Sequence, residues 1–274
     1  MDTRGQLLAI LVLVVAAAVI LAVGLFFMTG TQVQVSGGGS FNVTLTPNNQ
    51  NTSSQPGIPI GNDSKTVIKV AVIGTPTENV IMTLSSGEAE RRNISYPVTL
   101  DPTFVTLDIL KEYDIVILQG DPYFDMNARE AVNGYVRDGG SLIIVGDAGS
   151  KHPSYSNVAG WSWPSGDGIP VPAQMVGELY GYIDYANGSD LRILRSAHPI
   201  IKGISLVGSG LSETSQVVKV ISKGDTLVAI DTDEGTLPAI IEGSAGLGKV
   251  IYFAYDPGQT PEILLATVKY LTGV

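Results

Sequence analysis

Tyr113–Gly146 reads YDIVILQGDPYFDMNAREAVNGYVRDGGSLIIVG, and the order of its apolar runs and breaks decides the fold. Asp114–Gln119 (DIVILQ) is a short apolar run stopped by Gly120, the pattern of a strand buried on both faces. Asp125 then stands where a helix N-cap belongs, and Ala128, Val132, Tyr135 and Val136 fall on one face at helical spacing. Gly139-Gly140 supplies the glycine stop, and Ser141–Gly146 (SLIIVG) is a second buried strand. Two apolar strands joined through a helix of this length make a parallel pair with helices over the sheet.

The flanking sequence extends the pattern. Upstream, Thr66–Gly74 (TVIKVAVIG) predicts a strand and Thr77–Ser86 a short helix. Ile94–Leu100 predicts another strand, and Asp101-Pro102 opens a helical stretch to Lys111. Downstream, Ser150–Pro172 reads as a long loop carrying both tryptophans, and Ala173–Tyr182 as a helix. Strands are expected near Leu191–Arg195, Gln216–Ile221, Thr226–Ile230, Leu237–Glu242 and Lys249–Tyr255. The turn-rich Asp231–Gly235 and Gly243–Gly248 make the last three antiparallel. Thr260 (N-cap), Pro261 and Gly273 delimit a closing helix.

The chain has 274 residues, no cysteine, a formal charge of −10 and 15% charged residues, so it is neither a disulfide scaffold nor a basic nucleic-acid binder. Its mean hydropathy is nevertheless +0.25. Much of that comes from Leu7–Met28, which is free of charge and about 33 Å long as a helix, enough to span a bilayer. Arg4 precedes this run and the next basic residue is Lys65. The positive-inside rule therefore puts residues 1–6 in the cytoplasm, a transmembrane helix at 7–28 and the rest outside the cell. Residues 29–64, rich in Ser, Thr, Asn and Gly, form a linker whose only charge is Asp63, and residues 65–274 make the extracellular domain. Sequons at Asn42, Asn51, Asn62, Asn93 and Asn187 agree with a glycosylated outer surface. Arg4-Gly5-Gln6 before the apolar run also resembles the class III signal peptide of archaeal type IV pilin-like proteins. That resemblance implies cleavage after Gly5 and a filament role.

Tyr113–Gln119, Ala128–Val136, Gly139-Gly140 and Ser141–Gly146 together resemble the middle of class I glutamine amidotransferase-like domains, including the ThuA-like branch. His198-Pro199-Ile200, Gly203-Ile204 and Gly248–Phe253 are similar to further segments of that branch. The resemblance implies a flavodoxin-like α/β three-layer sandwich, with a mostly parallel central sheet and antiparallel C-terminal strands. In that family the nucleophilic cysteine stands on a turn matching Gly146-Asp147-Ala148-Gly149, and a His-x-Glu pair matches Asp256-Pro257-Gly258. Every triad member is missing here, and without a thiol the family's glutamine hydrolysis is excluded.

Other chemistry has thin support in the sequence. Ser150, His152 and Asp147 lie close together, but no G-x-S-x-G surrounds the serine. Asp121, Asp125, Asp147 and Asp256 cluster at strand C-termini, where carboxylates either hold a hard cation or cap turns. No catalytic residue, metal or cofactor is assigned. A ligand at the strand C-termini would meet Asp121, Asp147, His152, Tyr155, Trp161, Trp163 and Asp256, with the aromatics suited to sugars or partner contacts. The expected partners are the lipid bilayer through residues 7–28 and glycans or envelope proteins outside, not nucleic acid. The expected role is ligand or partner binding, or envelope structure, by a non-catalytic domain. The alternatives are a pilin-like filament subunit, and a hydrolase or lyase using Asp147, His152 or Asp256.

Overall fold

Val70–Gly74 (β1) lies between Val98–Leu100 (β2) and Ile115–Gln119 (β3), parallel to both. Ser141–Val145 (β4) continues the parallel array beside β3, and Gly248–Phe253 (β13) lies parallel to β4 on its far side. The computed structural model describes residues 67–161, 168–177, 183–206, 210–212 and 215–273. The chain divides into two units, Met1–Gly61 and Asn62–Val274. The segment 7–28 and the sequons Asn42, Asn51 and Asn62 lie outside the described residues. Among those described, no helix is long and apolar enough to cross a membrane.

Beyond β13 the sheet turns antiparallel, through Gly235–Ala245 (β12), Asp225–Thr232 (β11), Tyr185–Ile193 (β8) and Gln216–Val218 (β9). The nine strands run in the order β2-β1-β3-β4-β13-β12-β11-β8-β9. The first five give the doubly wound 2-1-3-4-5 order of the flavodoxin-like fold, the class that the resemblance implied. The antiparallel extension also matches expectation.

The helices cover both faces. Met126–Arg137 (the fourth helix, α4) packs on β4 and β13. Glu78–Leu84 (α1) and Gly87–Arg91 (α2) follow β1, and Pro261–Thr272 (α5) packs against α1 and β3. β3 and β4 are buried along their whole length, which is why they read as unbroken apolar runs.

Several boundaries differ from the sequence reading. The expected helix from Asp101 breaks into a single 3-10 turn at Pro102–Phe104 and Leu107–Leu110 (α3), because Thr106 Oγ1 accepts from Ile109 N and starts a new helix. Ala173–Met175 is a strand (β7), not a helix. It pairs antiparallel with Val220–Ser222 (β10), and its burial alternates as a strand's does. Gln216–Ile221 is therefore two strands in two sheets. The Ser150–Pro172 segment contains a small hairpin, Lys151–His152 (β5) with Tyr155–Ala159 (β6). Thr260 precedes α5 as expected but makes no side-chain cap; its hydroxyl bonds Tyr255 Oη (2.9 Å) and the Pro257 carbonyl (3.3 Å) instead.

Gly248 opens β13 where the backbone presses on the end of α4. A Cβ there would lie 2.2 Å from the Val136 carbonyl oxygen and 2.4 Å from that of Gly140. Gly248→Ala is expected to cost about 3 kcal/mol through this overpacking. Gly87→Ala in α2, where a Cβ meets nothing within 4 Å, is expected to be neutral or to stabilise by about 0.5 kcal/mol. Urea midpoints of the two variants check the contrast.

Candidate functional site: the C-terminal edge of the sheet

In this strand order the crevice for a ligand lies where the winding reverses, between the C-terminal ends of β1 and β3. Here that crevice is shut. Thr75 N donates to the Gln119 carbonyl at 2.9 Å. Gly74 (φ +102°) and Gly120 (φ +78°) let the two loops interlock, and a Cβ on Gly120 would come within 2.0 Å of the Thr75 oxygen.

Beneath this contact is a closed polar network around Asp256. Its Oδ1 accepts from Gly258 N (3.0 Å), Thr77 Oγ1 (3.1 Å) and Gln119 Nε2 (3.4 Å), and its Oδ2 from Asn79 Nδ2 (3.5 Å). Thr77 Oγ1 also accepts from Val80 N at 3.3 Å, capping α1. Gln119 is buried, and its Oε1 has no partner among the described residues. Asp256 thus ties β1, β3 and β13 together on the face covered by α1.

A second network lies on the opposite face. Leu118 and Gln119 point to opposite sides of the sheet. Leu118 and Phe124 both approach Gly149, on the side of the Ser150–Pro172 segment. Asp147, just after β4, accepts from Tyr185 Oη at 2.9 Å through Oδ2. Trp161 is 1% exposed, donates from Nε1 to the Ala148 carbonyl (2.8 Å) and meets the Tyr252 ring edge-on, with centroids 5.5 Å apart. Tyr252 Oη and Ser150 Oγ are buried with no hydrogen-bond partner among the described residues. Burial holds the Tyr252 phenol well above its usual range, and the charges of Asp147 and Tyr185 push the same way. Burial, then Asp147, raises Tyr185 as well.

The structure distributes the described members of the expected ligand set over several local environments. Asp147 and Trp161 share the second network, and Asp256 belongs to the first. Asp121 is spent on turns: its Oδ1 accepts from Tyr123 N (2.8 Å) and its carbonyl from Gly149 N (2.9 Å). His152, 7% exposed, accepts at Nδ1 from Ser154 N (3.0 Å), and its ring lies 5.0 Å from that of Tyr155. Because Ser150 Oγ has no partner, no Ser150–His152 dyad forms. Trp161 is packed inside rather than offered to a sugar, and Trp163 lies outside the described residues. Asp125 caps α4, accepting from Ala128 N at 2.8 Å. Among the described residues no group of three acidic or imidazole side chains is placed to hold a metal. Of the two sequons within reach, Asn187 is exposed, with Nδ2 donating to Asp233 at 3.4 Å. Asn93 is half-buried at φ 58°. Thr77, Gln119 and Tyr252 join these networks without being among the expected residues. Gln119 carried a signal, as the polar end of an otherwise apolar strand.

No protein-family model matches the chain, and no curated protein matches it in sequence. Solved structures do share its fold. The cytoplasmic protein STM1381 of Salmonella typhimurium LT2 aligns at 14% identity over 74% of this chain and 99% of its own, with a TM-score of 0.52. The cytoplasmic protein STM3548 of Salmonella typhimurium aligns at 13% identity over the same shares, with a TM-score of 0.51. A protein described as ThuA-like, from Bacteroides uniformis ATCC 8492, aligns at 14% identity over 78% of this chain and 95% of its own, with a TM-score of 0.47. At these identities the first two establish the fold alone, and the third score is too low to add to it.

Asp256→Ala removes the acceptor shared by four donors, two of them on partly buried side chains. A loss of about 1–3 kcal/mol is expected, against about 1 kcal/mol for Tyr185→Phe, by urea unfolding. The tyrosines give a pH prediction. Burial raises Tyr252 and Tyr255 in the folded chain, and burial with the Glu242 hydrogen bond pushes Tyr270 to about 12. Unfolded, each ionises near pH 10. The stability that these phenols contribute is thus fully present below pH 10 and is lost as pH rises from there through the folded values. Ultraviolet titration of these phenols is expected to lag free tyrosine and to coincide with loss of circular dichroism.

Proposed function

We propose that the chain is a single-pass, membrane-anchored surface protein. In this reading its amidotransferase-like domain is non-catalytic and serves binding or envelope structure outside the cell. The observation that carries it is the fate of the two positions matching the family's catalytic segments. Asp147 is spent on Tyr185 beside the packed Trp161, and Asp256 on Thr77, Asn79, Gln119 and Gly258, in separate networks on opposite faces. The absence of cysteine from the whole chain supports the same conclusion, since no other side chain supplies that thiol. The anchor rests on Leu7–Met28 and the placement of Arg4 and Lys65, and the outer location on that asymmetry together with the sequons.

The native protein is expected to stay in carbonate-washed membranes, to lose its C-terminal domain when intact cells are treated with protease, and to retain Met1 by intact mass. Cleavage after Gly5 with filaments under the microscope would replace the anchor by the pilin-like reading. The purified chain is expected to release no ammonia from glutamine. Any hydrolytic activity that disappeared in both Asp147→Ala and His152→Ala would overturn the non-catalytic reading.

A further inference from the structure

A cavity of about 1070 Å³ lies over the outer face of α5, on the side of the sheet away from α4. Its floor is one stripe of that helix, from Glu262 through Leu265, Ala266 and Lys269 to Gly273, at the three-and-four spacing that aligns side chains. Twelve helical residues make the trough about 18 Å long. One wall is α1 with α2, where Met82 stands 62% exposed; the other is the turn carrying Pro199, Lys202 and Ile204. The volume is that of a small-molecule pocket rather than a protein interface.

The charges along the trough are polarised. Arg92 pairs with Glu88 at 2.9 Å, and Glu88 also binds Arg91, so that trio keeps one net positive charge. Lys202 and Lys269 are exposed and have no acidic partner among the described residues, although the chain carries 26 acidic against 16 basic side chains. They are brought to the same end by a lock between the turn and the helix. Lys202 N donates to the His198 carbonyl at 2.8 Å. His198 Nε2 pairs with Glu242 Oε2 at 3.0 Å, and Tyr270, next to Lys269, donates to Glu242 Oε1 at 2.6 Å. The His198 and Tyr270 rings lie 4.9 Å apart. Glu262 stands at the opposite end, in the first turn of α5, and repels an anion there.

We propose that this trough binds a single-chain anionic amphiphile, a long-chain carboxylate or alkyl phosphate. Its chain lies over Ala266 between Met82 and Ile204, and its head lies at Lys202 and Lys269. The trough lies apart from the sheet edge described above and shares with it only the Thr77 anchor of α1. Met82 suits such a wall because an unbranched thioether adapts to a flexible chain.

The test uses the full chain in phosphatidylcholine nanodiscs, a photoactivatable diazirine palmitate, and peptide mapping of the adducts. Adducts are expected on the peptides of α5 and α1. They are expected to fall about five-fold with the trimethylammonium analogue of the probe, in Lys202→Glu/Lys269→Glu and in Ala266→Trp, which fills the trough. Equal labelling by both head groups, or labelling unchanged in both variants, overturns the proposal. Equal labelling of the same peptides by a two-chain diazirine phosphatidylglycerol also overturns it, in favour of the membrane itself as the source. The comparison of probes on the unaltered chain decides the matter even where a variant fails to fold.

Discussion

β13 is bonded along both edges, in parallel to β4 from Lys249 to Phe253 and antiparallel to β12 from Gly248 to Phe253. A parallel ladder slants its hydrogen bonds and an antiparallel ladder spaces them in alternating pairs, so one strand must satisfy two patterns without slipping. A one-residue slip would exchange Tyr252 and Phe253 between the two helical layers. Register is held by the glycine at its start, which only a residue without a side chain can occupy against the Val136 and Gly140 carbonyls. It is held at the other end by the bond from Gly146 N to the Phe253 carbonyl and by the Asp256 network just beyond. The parallel half and the antiparallel half are one sheet because this strand belongs to both.

The same closure removes the crevice this fold ordinarily offers. The loops after β1 and β3 interlock through Gly74 and Gly120, and the turn after β4 is covered by Trp161. The start of the covering segment is anchored twice. Trp161 reaches the Ala148 carbonyl, and the buried Arg129 of α4 donates to the Phe124 and Gly160 carbonyls at 3.2 and 3.4 Å. Desolvation pushes the Arg129 guanidinium down to about 10, so the cation stays charged at neutral pH while its hydrogen bonds offset part of the cost of burial. A side chain this costly to bury, bonded to the Phe124 carbonyl ahead of its own helix and to the Gly160 carbonyl just after the hairpin, ties the end of the hairpin to α4.

What was legible in the sequence follows from burial. Ile115–Gln119 and Ser141–Val145 are covered on both faces, so their strands are written as apolar runs, and Gly139 marks a real positive-φ stop at 109°. Ala173–Met175 was illegible because its partner β10 lies 45 residues away in register (Met175 opposite Val220), and local spacing carries no trace of it. Gln216–Ile221 hid a change of sheet at Lys219, whose N–H turns aside to the Asp184 carbonyl. At the sheet edge, the aspartates were visible as residue types at strand ends, but which face each would take depends on loops whose course the pattern does not encode. Asp147 and Asp256 look equivalent in sequence and end on opposite sides of the sheet.

The trough along α5 has a different origin. α5 shows Ile263, Leu264, Val268 and Leu271 to the sheet and leaves a stripe centred on Ala266 that no element among the described residues covers. The neighbours that would ordinarily close over it are held apart. α1 is fixed at its start by Thr77 and the Asp256 network, and the 198–204 turn is fixed by the His198–Glu242–Tyr270 lock. Two walls tied down by these bonds, over a helix stripe with a small residue at its centre, leave the groove open. The interactions that seal the edge of the sheet at Asp256 thus also hold one side of this trough, and the binding surface is displaced from the strand termini to the helical layer.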